Sequence, residues 1–331
     1  MIIEERAYAR AGFLGNPSDG YFGKTISISV RNFGAHISLY ESPELHIEPQ
    51  AQDVNTFRSI YHMVDSVRLT GYYGGARLVK AAIKTFWEYC EGNGVRLSSR
   101  NFTIRYRSSI PRQVGLAGSS AIVTATMRAL MRFYEVEIPR EVLPGIVLAA
   151  ERDELGISAG LQDRVIQVYE GCVYMDFQRT HLENRGYGLY EPLDPGLLPP
   201  LYIAYKIDLG KVSGKVLNDV RTRFEKGDPA VIETLDAIAG CAEQGRKALE
   251  NGDTTTLKRL MDRNFDLRSR IMNITLSNRE LIETARNCGA SAKFAGSGGS
   301  VIGIVEDDEM LTRLIVALKQ INARVIRPFI I

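Results

Sequence analysis

The run Pro111-Arg-Gln-Val-Gly115-Leu116-Ala117-Gly118-Ser119-Ser120-Ala121 gathers the residue types that bind an anion. Gly115 and Gly118 can take backbone angles closed to other residues and let a phosphate come close. Ser119 and Ser120 bring hydroxyls that donate to phosphate or ligate Mg²⁺. If a helix starts here, its first turn offers N–H groups without intrahelical partners, at the positive end of the dipole. Phosphate binds such a place without a positive side chain. The same run also reads as an ordinary loop with a serine N-cap. Commoner nucleotide loops do not fit: the run has no lysine for a P-loop, and G-x-G-x-x-G does not occur in the chain. Cys90, Cys172, Cys241 and Cys288 form no C-x-x-C, and His36, His46, His62 and His181 are dispersed, so neither zinc ligation nor a Ser-His-Asp triad has support.

Elements must hold that loop in place. The apolar run 102–106 before it reads as a strand, and 121–134 after it as a helix. Upstream, 7–14 suits a strand, and 15–20 is rich in turn residues. The runs 25–30 and 33–40 both alternate with period 2 around Arg31-Asn32, which predicts a hairpin. A short strand over 45–48 and helices over 55–69 and 78–89 follow, with Tyr72 and Tyr73 in the turn between the helices. Beyond the loop, Pro139 opens a helix that carries Glu151 near its end. A short helix over 163–169 and a strand over 171–177 come next. The prolines 192, 195, 199 and 200 divide the chain into domains 1–192 and 193–331. The second half predicts a strand over 201–207 and helices over 228–250 and 254–272. A helix over 278–288 follows, with Ser277 and Glu280 as its capping box, then a glycine loop over 292–300. The chain closes with a strand, the helix 308–320 and the strand 323–330, making an α+β sandwich.

The chain's 331 residues, 45% of them hydrophobic, suffice for two domains. A net charge of +2, with both signs interleaved, gives no footprint for nucleic acid. There is no cationic amphipathic stretch for a membrane surface, and no apolar run nears the ~20 residues of a spanning helix. The start Met-Ile-Ile-Glu-Glu-Arg has no signal core, and the scattered cysteines read as thiols of a reducing compartment, so a cytoplasmic protein is expected.

Pro111-x3-Gly115-Leu116-x-Gly118-Ser119-Ser120-Ala121 resembles the phosphate loop of the GHMP small-molecule kinases. Residues 9–19, Ala-Arg-Ala-Gly-Phe-Leu-Gly-Asn-Pro-Ser-Asp, are similar to that family's first motif, and 293–300, Lys-Phe-Ala-Gly-Ser-Gly-Gly-Ser, to its last. The motifs stand in family order and the resemblance covers the whole chain. It implies the two-domain α+β GHMP kinase fold: an N-terminal half like ribosomal S5 domain 2 and a C-terminal ferredoxin-like α/β sandwich. It also implies an ATP- and Mg²⁺-dependent kinase. Asn16-Pro17 replaces the Glu-His of the galactose enzymes, and the central loop is one residue longer than the mevalonate version. Segments 15–24, 71–75, 110–123 and 154–165 look most like the family branch that phosphorylates D-glucuronate at its anomeric oxygen.

On that resemblance, Asp163 of Gly160-Leu-Gln-Asp163 is the base, whereas as a bare residue it reads as the N-cap that starts helix 163–169. Arg10 lowers the pKa of the reacting hydroxyl and balances the phosphoryl group. Pro111 and Gly115 to Ala121 (Leu116, Ala117, Gly118, Ser119 and Ser120 between them) hold the ATP phosphates. Ser120, with Ser119 its competitor, ligates Mg²⁺ together with Glu151. Asn16, Asp19, Gly296 and Gly298 contact the sugar. Arg164, Arg112 or Lys24 meets the substrate's own carboxylate. The expected partners are a small sugar acid and ATP, with the chain a monomer or homodimer. Another sugar (galacturonate, arabinose or a heptose) or a non-catalytic sugar sensor are the alternatives.

Overall fold

The computed structural model describes residues 2–49, 74–207 and 215–331, with side chains from 219 onward in the last segment. The expected helix over 55–69 and the pair Tyr72 and Tyr73 lie outside the described residues.

β1 (Ile2–Leu14) and β2 (Lys24–Ser42) pair antiparallel along their whole length. The hairpin expected over 25–40 is therefore wrong: both alternating runs belong to one 19-residue strand. Tyr8 faces Gly34 and Ala9 faces Val30, so residues 31–33 form a bulge on β2. A two-residue hairpin needs positive φ at its central residues, and neither Arg31 nor Asn32 has it. The bulge lets one strand serve two partners on its other edge. There β5 (Cys172–Asp176) pairs with 24–28, and β4 (Asn101–Ser108) with 35–42. β3 (His46–Ile47) and β6 (Leu189–Leu193) complete the six-stranded sheet.

Three helices pack on one another, α1 (Gly75–Gly92), α2 (Gly118–Tyr134) and α3 (Leu143–Arg152), and α2 lays them on this sheet through β1 and β2. α2 begins three residues earlier than expected, and α3 begins at Leu143, well past Pro139. α4 (Gln162–Tyr169) lies against β1 and α2. The short α5 (Arg179–Arg185) precedes β6.

The second sheet has four antiparallel strands in the order β10-β7-β9-β8, from β7 (Leu201–Lys206), β8 (Lys293–Phe294), β9 (Ser300–Ile304) and β10 (Ala323–Ile326). Fourth, first, third, second is the ferredoxin-like arrangement, with helices between the strands. Those helices are α6 (Lys215–Glu225), α7 (Pro229–Glu250), α8 (Thr254–Ile271), α9 (Leu276–Asn287) and α10 (Asp308–Gln320). The expected cap of α9 is also corrected. Thr275 is the N-cap and accepts from the Asn278 N–H, while Glu280 pairs with Lys206. One apolar core joins the halves: Leu14 and Ile26 belong to the same cluster as Ile238, Ala242 and Ile302.

Candidate active site

The motifs meet on one guanidinium. Arg10 sits on β1 past the bulge and is 4% exposed. Its Nε donates to Asp163 Oδ1 at 2.5 Å and its Nη2 to Oδ2 at 2.8 Å. Its Nη1 donates to the Gly115 carbonyl at 2.7 Å and the Ala295 carbonyl at 3.0 Å. A planar fork fixes a carboxylate in both position and plane. Asp163 lies in the first turn of α4 but is not its N-cap, which is Leu161. Burial would push its carboxyl up, but the charge and hydrogen bonds of Arg10, with Arg164 beside them, hold it below its ordinary value. Its side chain stays 17% exposed, so an ionised carboxylate faces an approachable space.

The phosphate loop is pinned by its own carbonyls. Val114 accepts from Ser300 Oγ at 2.6 Å, Gly115 from Arg10, Leu116 from the Arg10 N–H at 3.3 Å, and Ala117 from Gln167 Nε2 at 2.8 Å. Val114 and Leu116 are buried while Gly115 and Ala117 are half-exposed. Positive φ recurs at Gln113, Gly115 and Ala117. Alternating backbone hands turn successive N–H groups into an anion-binding concavity. Two of these three residues are not glycine, and such strain gathers at working sites. Gly118, Ser119 and Ser120 follow as the first turn of α2, with N–H groups free of helical acceptors. The N-cap is Ala117 and makes no side-chain cap bond, so the serine N-cap reading fails. Pro111 and Ala121 bracket the loop, Ala121 through its N–H to Ala117 O at 3.2 Å.

Glu151 is fully buried on α3 and takes both Nε and Nη2 of Arg164 on one oxygen, Oε2. Arg164 Nη1 donates to Gly160 O at 2.8 Å. Arg164 thus ties Glu151 to the loop before α4, with its charge answered by that carboxylate. Glu151 Oε1 is buried without a hydrogen-bond partner. An orphaned carboxylate oxygen suits a hard cation. Ser120 Oγ, also buried, donates to Ala117 O at 3.2 Å. Among the described residues no three His, Cys, Asp or Glu cluster, so a cation here would keep waters in its shell.

Asp19 lies in a short 3-10 turn, Ser18–Tyr21, and accepts from the Gln162 N–H at 3.4 Å. Burial, then the nearby charge of Asp163, raises its carboxyl to about 7. Asn16 is turned into the protein. It is 1% exposed, donates to Phe294 O at 3.3 Å and accepts from Lys293 Nζ. Lys24 is likewise taken, by Glu243 at 3.0 Å and Asp176 at 3.8 Å. Arg112 is exposed at the loop's edge. The second glycine loop abuts the first: a Cβ on Gly296 would stand 2.1 Å from Gly115 O, so only glycine lets them touch. Gly298 lies against Asn278, whose Oδ1 accepts from the Gly299 N–H at 2.8 Å. The sequence reading missed two buried cations here, Lys293 and Arg268. Arg268 lies on the inward stripe of α8, in step with Leu257, Leu260 and Asn264, and that placement was its signal.

Residues 77–171 match the model of the GHMP kinases N terminal domain, and 246–322 that of the GHMP kinases C terminal region. The chain is 47% identical to Glucuronokinase 1 of Arabidopsis thaliana over 306 residues, 91% of this chain and 84% of that one. It is 48% identical to Probable glucuronokinase 2 of the same plant over 308 residues, with the same coverage. In fold it resembles Lactococcus lactis galactokinase complexed with galactose. The TM-score is 0.77 at 17% identity, covering 99% of this chain and 93% of that one.

Proposed function

As the chain belongs to the GHMP kinases, we propose that it uses ATP and Mg²⁺ to phosphorylate the anomeric hydroxyl of a uronic acid, D-glucuronate, giving glucuronate 1-phosphate. The contact that carries this reading is Arg10, which touches Asp163 and the phosphate loop at once. The choice of sugar is supported by the two plant relatives. Phosphoryl transfer needs positioning and charge stabilisation more than covalent help. The loop amides hold the phosphates. Asp163 accepts the proton of the anomeric hydroxyl, which is more acidic than an ordinary alcohol. Arg10 keeps that carboxylate ionised and offsets negative charge on the transferring group. Glu151 Oε1 and Ser120 Oγ would hold Mg²⁺, which, when bound, neutralises phosphate charge. Asp19 faces the sugar hydroxyls, and the glycine loop with Gly296 and Gly298 closes over them. The stretches 1–192 and 193–331 serve as the two domains.

We place the enzyme in the cytoplasm, in keeping with four free cysteines. No helix among the described residues is long and apolar enough to cross a membrane. A panel of free sugars and uronates with ATP, read by ADP release, tests the assignment. Turnover is expected with glucuronate, and a chain that phosphorylates neutral sugars but no uronate would overturn it. A non-catalytic sensor would have no need of the intact Asp163–Arg10 pair.

A further inference from the structure

The buried cations around the site outnumber the carboxylates that answer them. Arg10 has Asp163, and Arg164 has Glu151. Lys293 and Arg268, 1% and 3% exposed, meet no carboxylate among the described residues. Lys293 spends its ammonium on Gly12 O at 2.6 Å, Phe294 O at 2.8 Å and Asn16 Oδ1. An ammonium has three donors, so Lys293 has nothing left for a ligand.

Arg268 differs. Its Nη1 donates to Gly296 O at 2.8 Å, its Nη2 to Ser297 O at 3.3 Å, and its Nε faces Met272 Sδ at 3.3 Å. A guanidinium has five N–H donors, so two remain. Its Cζ lies over the Phe294 ring, 5.0 Å from the centroid. Its position matters as much. One helical turn before it, Asn264 clamps the sugar-side turn, accepting from the Gly15 N–H at 2.8 Å and donating to Asn16 O at 3.1 Å. Arg268 therefore stands between the turn that leads to Asp19 and the second glycine loop, with Asp19, Arg10 and Tyr21 as its electrostatic neighbours. A buried cation with no carboxylate in contact is costly, and the cost is relieved when an anion reaches it.

We propose that Arg268 receives the carboxylate of the acidic sugar and so determines the specificity of the site for uronates over neutral sugars. This rests on the uronate kinase reading above. A site built for a charged group strongly disfavours an analogue that lacks it, because the cation is then left unpaired.

The test compares D-glucuronate with its neutral amide, glucuronamide, in the native chain and in Arg268→Gln and Arg268→Lys, with melting curves as the folding check. The native chain is expected to prefer the acid by about 100-fold in kcat/KM. Arg268→Gln should raise KM for glucuronate about 100-fold, leave KM for ATP within about threefold, and abolish the preference. Arg268→Lys keeps the charge without the fork and should retain about a tenth of it. If Arg268 only braces the glycine loop, both acceptors suffer alike and the preference survives in Arg268→Gln, which overturns the proposal while the kinase reading stands. Should Arg268→Gln not fold, an undiminished preference in Arg268→Lys has the same force. A native chain that turns over neutral sugars but no uronate defeats the uronate reading itself, and this proposal with it.

Discussion

Arg10 grips Asp163 through two parallel hydrogen bonds, 2.5 and 2.8 Å long, although 153 residues of chain separate them. The same guanidinium carries the Gly115 and Ala295 carbonyls. The acid's plane, the phosphate loop and the second glycine loop are thus set by one side chain. An alignment built before the substrate arrives does not have to be made during the reaction.

Asp163→Asn keeps the shape and removes the proton acceptor. Turnover should fall by about 10²- to 10⁴-fold with little change in KM for ATP, measured by coupled ADP release on protein whose melt shows it folded. Undiminished turnover would take the role of base away from Asp163.

Gly296→Ala drives a methyl toward Gly115 O, 2.1 Å away, and Arg10 Nη1, 2.8 Å away. Relief requires the two loops to part. The variant should lose about 1–3 kcal/mol of stability and most of its turnover, by thermal melts and initial rates. A variant that matches the native chain in both would mean the loops do not work in contact.

The raised carboxyl of Asp19 has a signature in stability. Its folded value is about 7 against an ordinary 3.8. Between those values the folded chain keeps a proton that the unfolded chain has released. This contribution to stability therefore declines as pH rises through the window and is gone above the folded value. The decline is at most about 1.4 kcal/mol per pH unit. Asp163, shifted the other way, contributes stability that is lost only below its ordinary 3.8. Asp19→Asn lacks the decline, so it should gain in Tm relative to the native chain between about pH 5 and about pH 8. A Tm difference that stays constant across that range would place Asp19 in an ordinary aqueous setting.

Glu151→Gln leaves Arg164 buried beside a neutral amide. Breaking a buried pair from one side costs about 3–5 kcal/mol. The variant should also need more Mg²⁺ for half-maximal rate, since the unpartnered Oε1 is lost as an anionic ligand. A Mg²⁺ titration that overlays the native curve would assign Glu151 to holding Arg164 alone.

The phosphate loop was legible because an anion site calls for glycines and hydroxyls within a few positions of a helix start, whereas Asp163 was singled out only by the resemblance of Gly160-Leu-Gln-Asp163 to a family motif. The hairpin error had a physical source: period 2 reports which face a residue points to, not whether the chain reverses, and both runs flanking Arg31-Asn32 share that period. Ser277 with Glu280 imitates a capping box, yet Thr275, two residues earlier, supplies the acceptor. The polar α5 and β6 gave no periodic signal over their 7 and 5 residues. Arg268 was overlooked because a charged residue on a helix is ordinarily placed outward, and only its step with Leu260 and Asn264 pointed in. Asn16 was identified as a site residue, but its partners Phe294 and Lys293 lie far off in sequence and only the fold reveals them.

The apolar cluster that runs from Leu14 and Ile26 to Ile238, Ala242 and Ile302 is shared by both sheets, beside the smaller cluster that the second sheet builds around Tyr202, Phe294 and Leu314. Chains of this length often melt in stages, one domain outlasting the other. Here the halves should come apart and unfold together, as a single calorimetric transition. A polypeptide cut between the sheets would present an oily face to water and tend to self-associate.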